Sequence, residues 1–419
     1  MNAPTRHALR PLDDALEALL AAVTAVAESE TVSTLDAHGR VLAEDVIAGM
    51  NVPGFDNSAM DGYAFAVDDL SMAEGRSLPV SQRVAAGHAP EPLEKGTCAR
   101  IFTGAPLPPG ADSVAMQEDC VVRGELVEIG GEVRRGQMVR MCGEDIALGQ
   151  VVLTAGTCLG AADLGLAASL GVASLPVVRP VRVALFSTGD ELKTPGEVLP
   201  QDMPPGAIYN SNRFFLHALL KHLGCVVTDM GVIPDNLPAT QEALSRAAEG
   251  HDLILTSGGV SVGEEDHVKP AVDSQGALEL WAIAIKPGKP FAYGHVRRAD
   301  GGQAHFIGLP GNPVSSYVTF AVLVRPFLRK LQGSAQWLVP PMSLQANFAW
   351  DKADKRREFL RVRRNASGGL DLYPHQGSGV LTSLAWADGF VDNPPGKSIA
   401  YGDPVRFLSM AALFGAEGQ

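Results

Sequence analysis

The sequence predicts a multidomain α/β protein whose central domain contains a mostly parallel sheet. The chain has 419 residues, whereas one typical domain has roughly 100–200. From residue 181 to residue 330, apolar strands alternate with helices, as they do in βαβ units. Residues 45–150 instead alternate Pro, Gly and short β-branched runs, which is typical of strands joined by turns. We therefore expect several domains of different architecture.

Composition and charge limit the classes of function. Hydrophobic residues make up 46% of the chain, which argues against disorder. The formal net charge is −13 and the pI is about 5.2. A sequence-independent nucleic-acid binder needs a basic surface to displace counterions, so we expect no nucleic-acid partner.

The N-terminal region resembles neither a secretory signal nor a membrane span, because its apolar run at residues 16–26 is short and flanked by acids. The five cysteines include no C-x-x-C pair, and the ten histidines include no H-E-x-x-H. These patterns predict a cytoplasmic, reduced protein with no membrane partner. Any metal is expected to be Mg²⁺ held by oxygen ligands.

Helices are predicted at both ends of the strand-rich region. Near the N-terminus, apolar residues recur with the spacing of an amphipathic helix at Leu12, Leu16, Leu19, Leu20 and Val23. Residues 160–171 form a second helical pattern, rich in Ala and Leu and ended by Gly171. Between them, runs such as those around Val84 and Val114 are strand candidates.

The central region alternates five strand candidates with three helix candidates. The strand candidates are residues 181–186, 225–232, 253–256, 278–285 and 304–307. The helix candidates are residues 210–223, 238–249 and 313–331, the first two ended by a glycine. After Pro340-Pro341, alternating residues around Phe359 and a Gly-rich turn predict a small all-β C-terminal domain.

Three loops that follow predicted strands carry the residues of a candidate site, because open α/β sheets bind ligands at the carboxyl ends of their strands. The first loop contains Ser187, Thr188, Gly189, Asp190 and Glu191. Its small residues expose backbone N–H groups beside two carboxylates, which suits a magnesium ion next to a phosphate. A polar turn that caps the next helix is the alternative.

The second loop contains Ser257, Gly258, Gly259, Ser261 and Asp266. Adjacent glycines between hydroxyl residues allow the backbone to approach an anion closely. Simple loop flexibility is the alternative reading.

The third loop contains Pro310, Gly311, Asn312 and Ser315, with Asn312 as a natural N-cap before Pro313. It predicts either an anion site at a helix N-terminus or an ordinary helix start. Two lysines, Lys286 and Lys289, lie among prolines after an apolar run and suggest fixed cations for phosphate.

Together these loops predict a site for a phosphorylated ligand with a divalent ion. None of them matches the P-loop or the dinucleotide-binding glycine pattern, which disfavours kinase-like and NAD-dependent enzymes. In the strand-rich region, the turn containing Asp56 and Asp61 could bind a metal or cap its own backbone.

Seven runs, in this order along the chain, resemble the molybdopterin molybdenumtransferase family, which includes the gephyrin-like proteins. They are D-N-S-A-M-D-G-Y-A from Asp56, T-G-A-P from Thr103, G-E-D-I from Gly143, S-T-G-D-E-L from Ser187, T-S-G-G-V-S-V-G-E-x-D from Thr256, K-P-G-K-P from Lys286 and G-L-P-G-N-P-V-S from Gly308. The resemblance spans most of the chain.

The resemblance implies a homodimer of four-domain subunits. Domain I, helical and dimerising, would be split between residues 1–45 and 147–178 around a strand-rich domain II at 46–146. Domain III, the α/β molybdopterin-binding domain, would span 179–331, and a small barrel-like domain IV would span 332–419. The implied reaction inserts molybdate into adenylylated molybdopterin, with Mg²⁺-dependent pyrophosphate cleavage and release of AMP.

Site residues carried over from the family fall into three groups. The implied catalytic residues are Glu191, Asp235, Asp266, Asp61 and Asp145, and the implied metal ligands are Asp190, Glu191 and Asp266. The implied substrate-binding residues are Asp56, Thr103, Ser187, Thr188, Gly189, Ser257, Gly258, Gly259, Ser261, Lys286, Lys289, Pro310, Gly311, Asn312 and Ser315. Asp56, Asp61, Thr103 and Asp145 would come from the partner subunit.

Two alternatives stay open, an enzyme resembling molybdopterin adenylyltransferase and a catalytically silent gephyrin-like scaffold. Molybdopterin adenylyltransferase and molybdoenzyme apoproteins or their chaperones are possible partners. A basic cluster in the C-terminal domain either steers the anionic substrate or forms a solvated hairpin. Its members are Lys352, Lys355, Arg356, Arg357, Arg361, Arg363 and Arg364.

Overall fold

The computed structural model of the chain describes residues 9–259 and 267–415. Within these ranges the strands form three six-stranded sheets and four two-stranded ladders. This is the multidomain α/β fold that the sequence predicts. No helix of the described ranges is long and apolar enough to cross a membrane, and all five cysteines are free.

The segments that flank the strand-rich region fold together. Ser29–Ser33 pairs antiparallel with Ser174–Val178, and Val46–Ile47 pairs with Val151–Leu153. With the helix Ala161–Ser169 they enclose a core that includes Leu42 and Val177. The first helix, Leu12–Ala21, lies elsewhere: its buried apolar face joins the core of the central sheet.

The strand-rich region, which we call the insert, contains the first six-stranded sheet. In spatial order its strands are Ser113–Met116, Gly62–Phe65, Cys98–Ile101, Ser77–Val84, Leu126–Ile129 and Cys120–Arg123. Apolar residues pack on both faces of this sheet, in line with the strands predicted around Val84 and Val114. The helix Val67–Met72 and the ladder of Asn57–Ser58 with Val139–Arg140 complete the insert.

The central sheet contains six strands. In spatial order they are Val226–Ile233, Arg182–Thr188, Leu253–Ser257, Gln303–Leu309, Pro290–Arg297 and Gly276–Ala282. The first four are parallel, and the last two form an antiparallel hairpin at one edge. The sheet is therefore mixed, with its parallel part beside the predicted loops. A short parallel ladder of Leu192–Lys193 with Ile208–Tyr209 follows the second strand.

Helices cover both faces of the central sheet. Ser211–His222 and the long helix that begins at Pro313 pack on the face of Val183 and Leu185. Leu237–Ala248 and Val268–Gln275 pack on the face of Ala184 and Phe186. Successive side chains of a strand point to opposite faces, so Ser187 lies on the first face and Thr188 on the second.

The predicted helix at residues 313–331 is present but contains one wide turn. It runs as the α-helix Pro313–Thr319, the π-helical turn Phe320–Val324 and the α-helix Arg325–Leu331. Pro326 lacks the backbone N–H that a regular helix would bond to the carbonyl four residues earlier, and a wide turn accommodates that loss. The helix is buried along most of its length.

The predicted strand at residues 278–285 is divided between two sheets. It leaves the central sheet after Ala282, and Ile285–Lys286 instead joins the C-terminal sheet, parallel to Arg357–Arg364. The other strands of the C-terminal sheet are Leu370–Leu372, Gly389–Asn393, Pro404–Ser409 and Met342–Gln345.

Short helices complete the described ranges. The alternating pattern predicts an all-β C-terminal domain; the region is mainly β and also contains the helices Thr382–Trp386 and Met410–Phe414. Elsewhere, one-turn 3₁₀ helices occupy Thr34–Asp36, Glu74–Arg76, Gln117–Asp119 and Pro200–Asp202.

Candidate active site

The three predicted loops meet at the carboxyl edge of the central sheet. Ser187 is in register with Ser257, and Ser257 is in register with Leu309. The N–H of Gly258 donates to the Leu309 carbonyl oxygen at 3.0 Å. The loops are therefore neighbours, as expected for parallel strands whose ends share one edge.

Buried hydroxyl groups at this edge lack hydrogen-bond partners among the described residues. Ser187, Thr188 and Thr256 are at most 3% exposed, and none of their side-chain oxygens has a partner there. Leaving such a group unpaired costs about 1–3 kcal/mol. Three of them on adjacent strand ends are therefore a destabilising feature that a polar ligand can relieve.

The backbone at Gly259 lies unusually close to its neighbours. Its φ is +64°, and a Cβ atom there would lie 2.5 Å from Val268 Cγ2 and 2.7 Å from Thr188 Oγ1. Only glycine fits this position, as the sequence predicts for a loop that brings its backbone against an anion. Gly189 and Gly258 also have positive φ.

The acidic residues of the first loop are exposed at the same edge. Asp190 and Glu191 are both exposed, and the Asp235 N–H donates weakly to Asp190 Oδ1 at 3.5 Å. The structure thus brings these three predicted residues together. Asp266 and Ser261 lie outside the described residues.

Two of the predicted metal ligands, Asp190 and Glu191, lie within the described residues. Within residues 9–259 and 267–415, no three His, Cys, Asp or Glu side chains converge on a point where a metal ion could bind. Carboxylate oxygens such as those of Asp190 and Glu191 nonetheless have the hard-donor chemistry that Mg²⁺ requires.

The third loop starts the long helix as predicted, but Asn312 caps it without a side-chain hydrogen bond. Ser315 is buried one turn later. Pro310 and Gly311 precede the helix beside the second loop, where Asn212 Nδ2 donates to the Gly311 carbonyl oxygen at 2.7 Å. The backbone of this loop is thus fixed by a side chain from another helix.

The two lysines have different surroundings. Lys286 Nζ lies 3.1 Å from Asp354 Oδ2 and 3.1 Å from Glu358 Oε1, both in the C-terminal region. Partial burial opposes its charge, but the bonds to Glu358 and Asp354 raise the pKa of Lys286 above its ordinary value. Lys289 is exposed and has no ion pair among the described residues. Lys289 is therefore the freer of the two cations.

The four predicted residues of the insert find their partners within the insert. Asp61 Oδ1 accepts hydrogen bonds from the Thr103 N–H and hydroxyl, each at 2.8 Å, and these bonds lower the pKa of Asp61. Asp56 accepts from the Cys142 N–H at 2.7 Å. The exposed Asp145 donates its N–H to the Val52 carbonyl oxygen. Within the described part of one chain, no hydrogen bond or ion pair joins these side chains to the central loops.

Two buried asparagines at the start of the helix Ser211–His222 were not predicted as site residues. The Asn210 side chain caps the Arg213 N–H, and its Nδ2 has no partner among the described residues. Asn212 joins the second loop to the third. The polar run Asn210-Ser211-Asn212 before an apolar helical pattern was the available signal, but it indicates only a helix start.

The basic cluster of the C-terminal region is not uniformly solvated. Arg356 pairs with Asp354, and Arg357 pairs with Asp13 and Asp392. Arg361 is 1% exposed, and burial lowers its pKa to about 10. Its guanidinium donates to the carbonyl oxygens of Phe359 and Gly377 and to the Ser383 hydroxyl.

Family models match the chain in three consecutive parts. The model described as "MoeA N-terminal region (domain I and II)" matches residues 10–171. The "Probable molybdopterin binding domain" matches residues 184–330, and the "MoeA C-terminal region (domain IV)" matches residues 343–410.

Related proteins align along nearly the whole chain. Molybdopterin molybdenumtransferase of Haemophilus influenzae is 38% identical over 91% of this chain and 93% of that protein. The protein of the same name from Nostoc sp. is 34% identical over 91% of this chain and 89% of that protein. Gephyrin of Dictyostelium discoideum is 34% identical over 78% of this chain and 50% of that protein.

Solved structures agree with these sequence matches. The molybdopterin biosynthesis MoeA protein of Pyrococcus horikoshii superimposes with a TM-score of 0.82 at 29% identity, covering 96% of this chain and 99% of that chain. The chain therefore belongs to the molybdopterin molybdenumtransferase family and is a transferase of molybdenum cofactor biosynthesis.

Proposed function

We propose that this enzyme inserts molybdate into adenylylated molybdopterin, cleaving the pyrophosphate and releasing AMP. The main support is the group of unpartnered hydroxyls of Ser187, Thr188 and Thr256 beside the glycine loop. A phosphorylated ligand supplies the acceptor oxygens that such hydroxyls lack, and the backbone at Gly259 approaches it without a side chain in between.

The two lysines, Lys286 and Lys289, have different roles in the proposed reaction. Lys289, exposed and unpaired within the described ranges, is the candidate to contact a phosphate directly. Lys286 is already paired with Asp354 and Glu358, so its contribution is to hold the C-terminal sheet beside the loop. As the pyrophosphate leaves, the negative charge that develops on it is stabilised by such fixed donors.

Magnesium would be held by Asp190 and Glu191 of the first loop, together with Asp266, which lies outside the described residues. When bound, Mg²⁺ neutralises charge on the phosphate oxygens. Asp235 would keep its position beside Asp190, through the backbone contact already described.

A second copy of the chain would supply Asp56, Asp61, Thr103 and Asp145. This part of the proposal rests on two observations. Within the described residues, no hydrogen bond or ion pair joins those side chains to the central loops of their own chain. In addition, residues 47–55 and 141–151 are joined by backbone hydrogen bonds and expose large apolar side chains. Those side chains are Ile47, Met50, Phe55, Met141, Leu148 and Val151. We call this the junction patch; exposed patches of this kind mark protein interfaces.

The proposed reaction can be tested with purified protein, adenylylated molybdopterin, molybdate and Mg²⁺. We expect stoichiometric release of AMP and incorporation of molybdenum, both abolished by a chelator and restored by Mg²⁺. Thr188→Val should weaken substrate binding while keeping the fold, since it removes a hydroxyl that has no partner in the described part of the chain.

Two outcomes contradict the proposal. Formation of adenylylated molybdopterin from ATP and free molybdopterin, without molybdenum insertion, would assign the chain an adenylyltransferase activity. Absence of both reactions with a folded, dimeric protein would favour a scaffold.

A further inference from the structure

Asn212 connects two loops of the candidate site that are distant in sequence. It is the second residue of the helix Ser211–His222 and is 7% exposed. Its Nδ2 donates to Ser257 Oγ at 2.7 Å and to the Gly311 carbonyl oxygen at 2.7 Å. One side-chain amide therefore joins the second and third loops, in addition to the backbone bond between Gly258 and Leu309.

The partner of the amide determines its orientation. A carbonyl oxygen can only accept, so the group that faces Gly311 must be the NH₂ and not the oxygen of the amide. Its two hydrogens are then used by Gly311 and Ser257. The Ser257 oxygen is therefore an acceptor in this pair, and its own hydrogen must point elsewhere.

Among the described residues, no group accepts a hydrogen bond from the Ser257 hydroxyl. The nearest candidate in the register is Ser187, which lies on the same face of the sheet, yet Ser187 Oγ has no partner among the described residues. Ser257 is 3% exposed, so its hydroxyl is shielded from bulk water. A buried donor at the carboxyl edge of the central sheet suits an anionic oxygen of a ligand.

We propose that Asn212 is a positioning residue that makes the Ser257 hydroxyl a hydrogen-bond donor toward an anionic oxygen of bound adenylylated molybdopterin. It acts through Ser257 and the Gly311 backbone, and it does not contact the reacting atoms. This inference rests on the proposed function, from which it takes the substrate.

The decisive variant is Asn212→Asp, which keeps the shape of the side chain but replaces the donor with an acceptor. The Ser257 hydroxyl then donates to the introduced carboxylate and is lost to the substrate. We expect KM and Kd for adenylylated molybdopterin to rise roughly ten- to hundredfold, the scale of one lost charge-assisted hydrogen bond. The kcat should change less than about threefold, because the reacting atoms are untouched.

A second variant, Asn212→Ala, distinguishes the positioning role from a role in packing, because the two roles predict opposite orders for the KM increases of Asn212→Ala and Asn212→Asp. Without the amide, the Ser257 hydroxyl rotates freely and still donates part of the time. KM should therefore rise less than in Asn212→Asp. A role confined to packing predicts that the truncation is at least as harmful as the isosteric change.

A double-mutant cycle with Ser257→Ala tests whether Asn212 acts through Ser257. In the Ser257→Ala background, adding Asn212→Asp should raise KM at least about threefold less than it does in the wild-type background, and the remaining rise reports the lost hydrogen bond to the Gly311 carbonyl oxygen. The matched control is Asn347→Asp, since Asn347 also donates to a serine hydroxyl, that of Ser367, but in the C-terminal region. It should leave KM unchanged.

The outcomes separate the two proposals. If the wild type converts the substrate but the effects of Asn212→Asp and Ser257→Ala multiply independently, the positioning role is wrong and the proposed function stands. If the wild type neither binds nor converts adenylylated molybdopterin, both are wrong. Melting temperatures of all variants show whether any change in KM comes from unfolding.

Discussion

Gly288 lies between the two lysines and packs against the long helix. Its φ is +117°, and a Cβ atom there would lie 2.5 Å from Thr319 Oγ1 and 3.0 Å from Ile285 Cδ1. Gly288→Ala therefore imposes a backbone conformation that L residues rarely adopt, and it adds a methyl group to filled space. Both effects should shift the segment that carries Lys286 and Lys289.

The cost of Gly288→Ala can be divided into two parts. The backbone conformation costs about 1–3 kcal/mol, and overpacking typically costs about 1–3 kcal/mol more. Thr319→Ala removes the hydroxyl that causes the closest contact. The double variant should therefore recover much of the overpacking cost while the backbone cost remains.

Urea unfolding midpoints, hydrogen exchange of residues 313–331 and KM for adenylylated molybdopterin measure these effects. The matched control is Gly301→Ala, because Gly301 has φ +84° but no atom within 4 Å of its added Cβ. It reports the backbone cost alone. Two results would refute the close contact between Gly288 and Thr319 as the cause: Gly288→Ala no more destabilising than Gly301→Ala, or no recovery of stability on adding Thr319→Ala.

Three further predictions concern protonation and assembly. Burial lowers the pKa of His305 to about 4, so the unfolded chain binds a proton on this side chain more tightly than the folded chain does. The free energy of unfolding should therefore fall as the pH drops from about 6.5 toward 4. His305→Phe should reduce the dependence of the denaturation midpoint on pH over that range, and an unchanged dependence would contradict this. Thr103→Val removes one of the bonds that lower the pKa of Asp61, so the acidic limb of the kcat/KM profile should move to higher pH if Asp61 acts as a carboxylate in the site. Leu148→Glu places a charge in the junction patch and should shift light-scattering mass toward the monomer with loss of activity; a stable, active dimer would argue against that interface.

Local patterns predicted much of the central domain. The runs that begin near Val183 and Leu253 are continuous, apolar and followed by small polar residues, and the mostly apolar run near Ala304 is followed by a loop with Gly and Pro, so both the strands and the loops after them could be identified. The predicted helices at residues 210–223, 238–249 and 313–331 are present for the same reason. The close approach of the backbone at Gly259 to its neighbours was predictable because glycine has no side chain to prevent it.

Contacts between distant residues were not predictable from local patterns. The apolar run at residues 278–285 has no internal sign that its end joins another sheet, since that depends on Arg357–Arg364. The hydrogen bonds of Asn212 reach Ser257, 45 residues away, and the pairing of Lys286 with Glu358 spans 72 residues. A helix-starting asparagine and a lysine among prolines look the same in sequence with or without such partners.

The segment before Pro287 forms backbone hydrogen bonds with a residue near the N-terminus and with a residue of the C-terminal sheet. Arg10 exchanges backbone hydrogen bonds with Ala282 and Ala284, and the Arg357 N–H donates to the Ala284 carbonyl oxygen. During synthesis, a strand edge at residues 285–286 stays open until about seventy further residues have left the ribosome, since its partner begins at Arg357. The loop that carries Lys286 and Lys289 is therefore completed late, and a chain truncated before Arg357 should lack a finished site.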